Sequence, residues 1–255
     1  MDLTVLGSGT GVPTAERGPA GYLLQIGGSL VQLDSGAGAS RALVRLGFDY
    51  RLLASLLYTH LHADHVGDLV PLLMAQRITP GFSRRQPLRI YAPRGFRRFL
   101  ATLAQAYGPW VETPEYELTI QELWEDRLAI TAGDTPWSLR CLPMNHPTCI
   151  GYRIEAEGAS LVYSGDTDVC ENIVKLARRA DVLILECSFH DDEKVEGHLT
   201  PAEAGAIANR AECRTLLLTH FYPGTDGQAC VEQCRKLCDA EVLAAYDGLR
   251  LRLGP

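Results

Sequence analysis

The stretch Thr59-His60-Leu61-His62-Ala63-Asp64-His65-Val66-Gly67 decides how this sequence is interpreted, because it holds three of the chain's seven histidines. An apolar run of strand length, residues 52–58, precedes it, and residues 64–74 have the pattern of a helix. His60 and His62 alternate along the strand end and can point to the same side. Imidazole and carboxylate groups are natural ligands for zinc, iron or manganese. The spacing therefore predicts a metal site at this turn rather than a group of solvated loop histidines.

The pattern Thr-His-x-His-x-Asp-His-x-Gly resembles the signature of the metallo-β-lactamase superfamily of dinuclear metallohydrolases. Nearly the whole chain takes part in the resemblance, which is to the ribonuclease Z-like, phosphodiesterase branch. The further matching segments are a glycine-rich loop at 7–13, Asp34, His146 before Gly151-Tyr152-Arg153, Ser164-Gly165-Asp166-Thr167, His198 with Glu203, and His220.

The resemblance implies an α+β fold, the four-layered αβ/βα sandwich of the metallo-β-lactamases. Strand-rich and helix-bearing stretches alternate in two halves without a linker, which suits this architecture. We therefore expect residues 1–255 to form a single metallo-β-lactamase-like domain.

The resemblance also implies a ligand set. His60, His62 and His146 would hold one metal, Asp64, His65 and His220 the other, and Asp166 would bridge them. Two divalent ions can lower the pKa of a shared water, and Asp64 would orient the resulting hydroxide or accept its proton. The donor set favours Zn²⁺ and also admits Mn²⁺ or Fe.

A candidate general acid follows from the same resemblance. His198, supported by Glu203, would protonate the leaving group, because an imidazole near neutral pKa can donate a proton. Glu203 also has a structural interpretation, since Thr200-Pro201 with Glu203 has the pattern of a helix capping box.

Two segments near the start of the chain keep two interpretations each. Asp34 resembles an aspartate that orients the histidine loop, and it could equally cap a helix that begins near Gly38. The loop at 7–13 is glycine-rich but lacks the Lys-Ser/Thr of a Walker motif. We therefore interpret it as a tight turn near the active site rather than as a phosphate-binding loop.

Two groups of residues, a set of arginines and a set of cysteines, are interpreted from residue type and spacing. Arginines at 77, 84, 85, 94, 97 and 98 surround a segment, 79–87, that reads as an exposed loop. They could contact substrate phosphates, although a solvated basic surface is the simpler interpretation. Cys230, Cys234 and Cys238 are spaced four apart on a predicted helix over 226–238, and we interpret them as small buried residues on one face rather than a metal or redox site.

Composition limits the compartment and the partners. The chain is 46% hydrophobic and 22% charged, with a net charge of −7, which disfavours a broad nucleic-acid surface. No secretory signal and no apolar run of about 18 residues is evident, so neither secretion nor a membrane span is expected. The eight scattered cysteines suit reduced thiols and a cytoplasmic protein. Relatives in the family form dimers, and the resemblance implies a homodimer here.

The predicted function is hydrolysis of small or cyclic phosphodiesters. Ribonuclease Z carries a tRNA-gripping arm between the segments that match His146 and Asp166, whereas only nineteen residues separate them here. A nucleic-acid substrate is therefore possible but not favoured. The alternatives are a ribonuclease Z-type tRNA 3′ endonuclease, a hydrolase of another ester such as a lactone or sulfate ester, and a non-catalytic metal-binding or redox protein.

Overall fold

Two β-sheets pack face to face in the middle of the structure, a computed structural model that describes residues 1–113, 115–132 and 135–254. The strands within these residues are, in chain order, β1 (Asp2–Gly7), β2 (Gly21–Ile26), β3 (Ser29–Ser35), β4 (Leu53–Leu57), β5 (Leu88–Pro93), β6 (Leu118–Leu123), β7 (Arg127–Ala132), β8 (Thr135–Pro143), β9 (Ile150–Ala156), β10 (Ala159–Tyr163), β11 (Val182–Glu186), β12 (Thr215–Thr219), β13 (Glu241–Ala244) and β14 (Arg250–Arg252).

Each sheet combines an antiparallel part with a parallel part. The first has the order β14-β1-β2-β3-β4-β5-β6 and is parallel from β3 to β6. The second has the order β13-β12-β11-β10-β9-β8-β7 and is parallel from β10 to β13. The parallel strands β10, β11 and β12 are buried along their whole length, as expected for near-continuous apolar runs covered on both faces.

Helices cover the outer face of each sheet. They are α1 (Ala39–Arg45), α2 (Ala63–Val66), α3 (Leu69–Ile78), α4 (Phe96–Tyr107), α5 (Glu171–Ala177), α6 (Pro201–Ala211) and α7 (Gly227–Cys234), with short 3₁₀ turns at Tyr50–Leu52, Gly108–Trp110 and Asp191–Glu193. One apolar cluster lies between the sheets, a second joins the first sheet to α1, α3 and α4, and a third joins the second sheet to α5, α6 and α7. The predicted α+β, four-layered sandwich is confirmed.

The segment after the histidine cluster differs from its prediction. The single helix expected over 64–74 is two helices, α2 and α3, separated at Gly67 and Asp68. The Asp68 N–H donates to the Ser35 carbonyl at 2.8 Å, and the Asp68 carboxylate accepts from the N–H groups of Gly38 and Ser40. Asp68 therefore caps the start of α1 and takes the capping role that the sequence offered to Asp34.

Arg84 corrects the expectation of an exposed arginine loop. Its side chain is buried, and its guanidinium donates to the carbonyls of Gln86, Arg51, Leu53 and Pro87. It serves as an internal cap for these carbonyls and not as a phosphate contact. Arg85, Arg94, Arg97 and Arg98 are exposed, as the simpler interpretation expected.

Helix α7 ends at Cys234 rather than at residue 238. Cys230 and Cys234 are buried in the cluster beneath the second sheet, and Cys238 is partly buried against it. The interpretation as small packing residues is confirmed, and all eight cysteines are free thiols. Within the described residues, no helix combines the length and the apolar character that crossing a membrane requires.

Candidate active site

Seven ligand-type side chains from distant parts of the chain meet at one edge of the two sheets. They follow the ends of β4, β8, β10 and β12, where turns deliver His60, His62, Asp64, His65, His146, Asp166 and His220. The carboxyl ends of the parallel strands β4, β10 and β12 lie at this edge, the usual place for a site in such sheets. We call these seven residues the donor cluster.

One group of donors contains three histidines and an aspartate. His60, His62, His146 and Asp166 each place one nitrogen or oxygen within 4.8 Å of the others. His60 Nε2 lies 3.0 Å from His62 Nδ1 and 3.6 Å from Asp166 Oδ2. His146 Nε2 lies 3.4 Å from the same nitrogen of His62. These atoms converge on a common point, as ligands of one ion would.

The second group contains Asp64, His65 and His220, whose donor atoms also lie within 4.8 Å of one another. Asp64 Oδ2 lies 3.4 Å from His220 Nε2 and 3.9 Å from His65 Nε2. Asp166 connects the groups, because its Oδ1 lies 3.3 Å from His65 Nε2 and 3.5 Å from His220 Nε2 while its Oδ2 faces His60. One oxygen of Asp166 thus faces each group.

The donor cluster fits a pair of metal ions. Asp166 Oδ1 and His65 Nε2 are buried and have no hydrogen-bond partner among the described residues. Buried polar atoms are nearly always paired, and a bound ion would satisfy two such atoms that face each other. The donors are all nitrogen and oxygen, which suits zinc, manganese or iron.

Asp34 fixes the orientation of the histidine turn. Its Oδ1 accepts from the Thr59 N–H at 2.8 Å. Its Oδ2 lies 2.8 Å from the Thr59 hydroxyl, from His65 Nδ1 and from the Tyr163 hydroxyl. Since Nδ1 of His65 is held in this way, Nε2 is the nitrogen that faces the cluster. The interpretation of Asp34 as an orienting residue is confirmed.

Other partners orient two more histidines. His146 Nδ1 donates to the Gly197 carbonyl at 3.1 Å, and His220 Nδ1 lies 3.0 Å from the Ser188 hydroxyl. His220 itself has a φ of 59°, a left-handed conformation that is uncommon for a residue with a side chain. These contacts leave Nε2 of each ring directed into the cluster, which is how metal-binding histidines are usually held.

Burial and neighbouring charge shift the protonation of the cluster. Burial and the nearby His65 hold the pKa of His60 well below its ordinary value, so its imidazole is neutral. Burial would raise the pKa of Asp166, but His220, His65 and His60 hold it well below the usual range. A neutral imidazole and an ionised carboxylate are the forms that bind a metal.

His198 lies beside the donor cluster and contacts a carboxylate that the sequence did not reveal. Its Nδ1 is 3.1 Å from both oxygens of Glu186, and its ring stacks at 5.6 Å from that of His220. Burial lowers the pKa of His198, but the ion pair with Glu186 outweighs it and raises the pKa above the ordinary value. His198 also comes within 4.8 Å of Asp166 and His220, so it could itself reach an ion.

Among the described residues, Glu203 does not contact the His198 ring, so any support that it gives to His198 is indirect. Glu203 Oε2 accepts from the Thr200 N–H at 3.0 Å and completes the capping box of α6. It also pairs with Lys194 at 2.7 Å, and Lys194 donates to the backbone carbonyl of His198. Glu203 therefore acts on His198 only through Lys194 and the backbone, because α6 uses its carboxylate for capping.

Sequence reasoning missed Glu186. It ends the apolar strand β11, and a carboxylate at the end of a buried run is the signal that could have identified it. Three further hydrogen bonds hold Glu186: from the N–H groups of Thr167 and Leu199 and from the Ser188 hydroxyl.

The glycine-rich loop is a turn at the site, as expected, since the Gly11 N–H donates to Asp64 Oδ2 at 3.0 Å.

Comparisons with known proteins agree with this geometry. Residues 34–221 match the family model described as "Beta-lactamase superfamily domain". Ribonuclease Z of Mycobacterium bovis (strain BCG / Pasteur 1173P2) is 31% identical over 271 aligned residues, covering 94% of this chain and 92% of that protein. The metallo-β-lactamase fold protein YhfI from Bacillus subtilis has a TM-score of 0.85 and 27% identity, covering 99% of this chain and 98% of that one. Human tRNase Z, short form, has a TM-score of 0.79 and 25% identity and covers both chains fully.

Proposed function

We propose that this chain, which belongs to the β-lactamase superfamily and is a metal-dependent hydrolase, cleaves small phosphodiesters, including cyclic ones. The observation that carries the phosphodiester chemistry is the His198–Glu186 pair beside the donor cluster, and the short segment between His146 and Asp166 favours a small substrate. An alkoxide leaving group needs a proton as the phosphorus–oxygen bond breaks, and a histidine beside the reacting centre, whose pKa is raised by a carboxylate, can supply it.

The proposed ligands follow the two donor groups. His60, His62 and His146 would hold one divalent ion, and Asp64, His65 and His220 the other, with one oxygen of Asp166 for each. When bound, such a pair supplies Lewis-acid chemistry and an acidified water. We favour Zn²⁺, with Mn²⁺ or Fe as alternatives, because the nitrogen-rich donor set suits all three.

The protein's own groups would move the protons. Glu186 occupies Nδ1 of His198, so Nε2 is the ring nitrogen that remains to donate to the leaving oxygen. Asp64 has one oxygen fixed by the Gly11 N–H and by its approach to His220. That carboxylate would orient the attacking water and accept its proton.

The segment between His146 and Asp166 supports a small substrate. Strands β9 and β10 occupy most of it, and they are part of the second sheet. All of its residues are described, and none of them extends from the sheet as an arm. A nucleic acid would have to bind without the arm of ribonuclease Z. The net charge of −7 also disfavours its binding to the rest of the chain.

Ribonuclease Z-type cleavage of precursor tRNA is the second candidate. The 31% identity to a ribonuclease Z over 94% of this chain favours it. The geometry at the donor cluster supports both candidates equally, because both reactions cleave a phosphodiester with an alkoxide leaving group.

The test compares substrates on one metal-loaded preparation at one physiological salt concentration. Bis(p-nitrophenyl) phosphate, a cyclic nucleotide, a lactone, a sulfate ester and precursor tRNA are assayed side by side. We expect turnover of the small diesters and slow, salt-sensitive cleavage of the tRNA. Accurate and efficient 3′ processing of the precursor would favour the ribonuclease instead, and turnover of only the lactone or sulfate ester would reject phosphodiester chemistry.

A further inference from the structure

A basic cavity lies on the outer face of the second sheet, beside the end of α5. Its volume is about 400 Å³, and six cationic side chains line it: Arg127, Arg140, Arg153, Lys175, Arg178 and Arg179. Residues next to these arginines, such as Leu139 and Ile154, point into the core between the sheets. Because side chains alternate along a strand, Arg140 and Arg153 point outward into the cavity.

Positive charge is concentrated in this cavity, although the chain as a whole is negatively charged. The six cations are a quarter of the 24 lysines and arginines of a protein whose net charge is −7. Glu155 is the only acidic side chain that lines the cavity among the described residues. Arg140 and Arg153 are direct partners across β8 and β9, and like charges in that position repel. Glu155 pairs with Arg153 and Glu212 pairs with Arg179, which leaves four of the six cations without an ion pair among the described residues. An anion in the cavity would reduce the repulsion that remains.

Hydrogen bonds hold the Arg153 side chain in a fixed position in the cavity. Its Nε donates to Glu155 at 2.8 Å, and its Nη1 donates to the carbonyls of Leu176 and Arg178 at 3.0 and 2.9 Å. The guanidinium therefore caps the end of α5 and is held in place before any ligand arrives. Arg127, Arg140, Lys175 and Arg178 are exposed around it and can turn toward a ligand.

The basic cavity is separate from the donor cluster and shares no residue with it. Along β8, Arg140 is followed by about 10 Å of strand and then by the turn that carries His146. Helix α5 begins at Glu171, shortly after Asp166, and runs away from the cluster toward the cavity. A ligand in the cavity would not contact the donors.

The lining indicates the chemical class of the ligand. Among the described residues, the cavity lining has no aromatic side chain on which a base could stack. Arg127, Arg140 and Arg153 are direct neighbours across β7, β8 and β9, so three of the cations lie within the width of three strands, and the cavity of about 400 Å³ suits a compact ligand. One guanidinium group can donate two parallel hydrogen bonds to two oxygens of a phosphate. We infer that the basic cavity binds a compact anion with closely spaced phosphates, such as pyrophosphate or tripolyphosphate, independently of the donor cluster.

Calorimetric titration of the metal-loaded protein with tripolyphosphate tests this inference. The double variant Arg140→Gln/Arg178→Gln removes two exposed cations of the cavity, and Arg89→Gln/Arg98→Gln removes two exposed arginines elsewhere as a matched control. The donor cluster is the same in both, so any phosphate bound there contributes equally. We expect the cavity variant to bind tripolyphosphate at least about tenfold more weakly than the control, since each charged hydrogen bond is worth more than a neutral one.

Titrations with orthophosphate, pyrophosphate and a single-stranded RNA hexamer show which kind of phosphate compound the cavity binds. Orthophosphate should bind more weakly than pyrophosphate, and pyrophosphate more weakly than tripolyphosphate. A single-stranded RNA hexamer should bind more weakly than tripolyphosphate, and its binding should not distinguish the two double variants. Equal tripolyphosphate affinities in the two variants, or tighter binding of the RNA that depends on Arg140 and Arg178, would overturn the inference. Hydrolysis of bis(p-nitrophenyl) phosphate should be unchanged in both variants, which shows that each is folded.

Discussion

Both carboxylate oxygens of Glu186 lie 3.1 Å from Nδ1 of His198. The contact joins the end of a buried strand to the loop before α6 and holds the imidazole beside the donor cluster. The carboxylate stabilises the protonated ring and, by occupying Nδ1, leaves Nε2 as the ring nitrogen available to another group.

Glu186→Gln should therefore weaken proton donation without removing the metals. We expect kcat to fall about tenfold for diesters with poor leaving groups and less for p-nitrophenyl diesters, whose leaving group needs no proton. The raised pKa of His198 keeps the ring protonated to higher pH, so the loss of Glu186 should move the alkaline limit of activity to lower pH. Kinetics across pH on both substrate types measure this.

Glu203→Gln is the matched control for that change. Glutamine can still complete the capping box with Thr200, and Glu203 does not touch the His198 ring. Its pH profile should match that of the parent protein. An equal loss on good and poor leaving groups in Glu186→Gln would instead assign Glu186 a purely structural role.

The number of metal ions bound per chain should depend on the residues of the donor cluster. Elemental analysis of protein purified without chelator should approach two ions per chain, and His60→Ala or Asp166→Ala should lower that number because each removes a convergent donor. His190→Ala serves as the control, since His190 lies outside the donor cluster and contacts the Asp226 N–H. Full metal content in Asp166→Ala would show that this carboxylate does not bridge.

Asp34→Asn should reduce both stability and metal affinity. An asparagine has only one acceptor oxygen, whereas both oxygens of Asp34 accept hydrogen bonds, so a buried donor would be left unpaired. We expect a loss of about 3 kcal/mol in the free energy of unfolding and metal binding weaker by about tenfold or more. Denaturant unfolding and metal titration measure the two effects, with the exposed Asp239→Asn as control. A variant that keeps its stability and its affinity would contradict the orienting role.

Gly165→Ala should disturb the turn that carries Asp166. Gly165 has a φ of 62°, and a Cβ there would lie 2.6 Å from the Thr59 Cβ and 2.9 Å from the Cys149 sulfur. Gly158 has a φ of 75° with nothing within 4 Å of its Cβ position. Gly158→Ala should therefore cost only about 1 kcal/mol of backbone strain, whereas Gly165→Ala should cost clearly more and lower metal content. Similar unfolding midpoints for the two variants would show that the turn can relax.

The histidine turn at 59–67 could be predicted as a metal site because its signal is local, whereas His146, Asp166 and His220 were assigned through the family resemblance. His60, His146, Asp166 and His220 all follow apolar strands, so a short pattern indicates both the strand and the position of the side chain at its end. The family resemblance then supplied the partition into two groups. The four layers followed from the same resemblance, and the structure confirms them; the order of the strands in each sheet was not predicted.

The contacts that the sequence did not reveal join residues distant along the chain. Glu186 meets His198 only because the intervening segment folds back on the end of β11. The break between α2 and α3 depends on the Ser35 carbonyl, which competes for the Asp68 N–H from another strand. Arg84 is charged and lies in a loop, yet four carbonyls surround it. Residue type and spacing carry no information about such partners.

Asp34 receives hydrogen bonds from residues of both sheets, from Thr59 on one side and Tyr163 on the other. The donors are divided in the same way, with four before residue 66 and three from residue 146 onward. On a ribosome, a growing chain therefore cannot complete the site until His220 has emerged, long after the first histidines. The first four donors alone make up one incomplete group and part of another, so full metal affinity requires both halves of the chain.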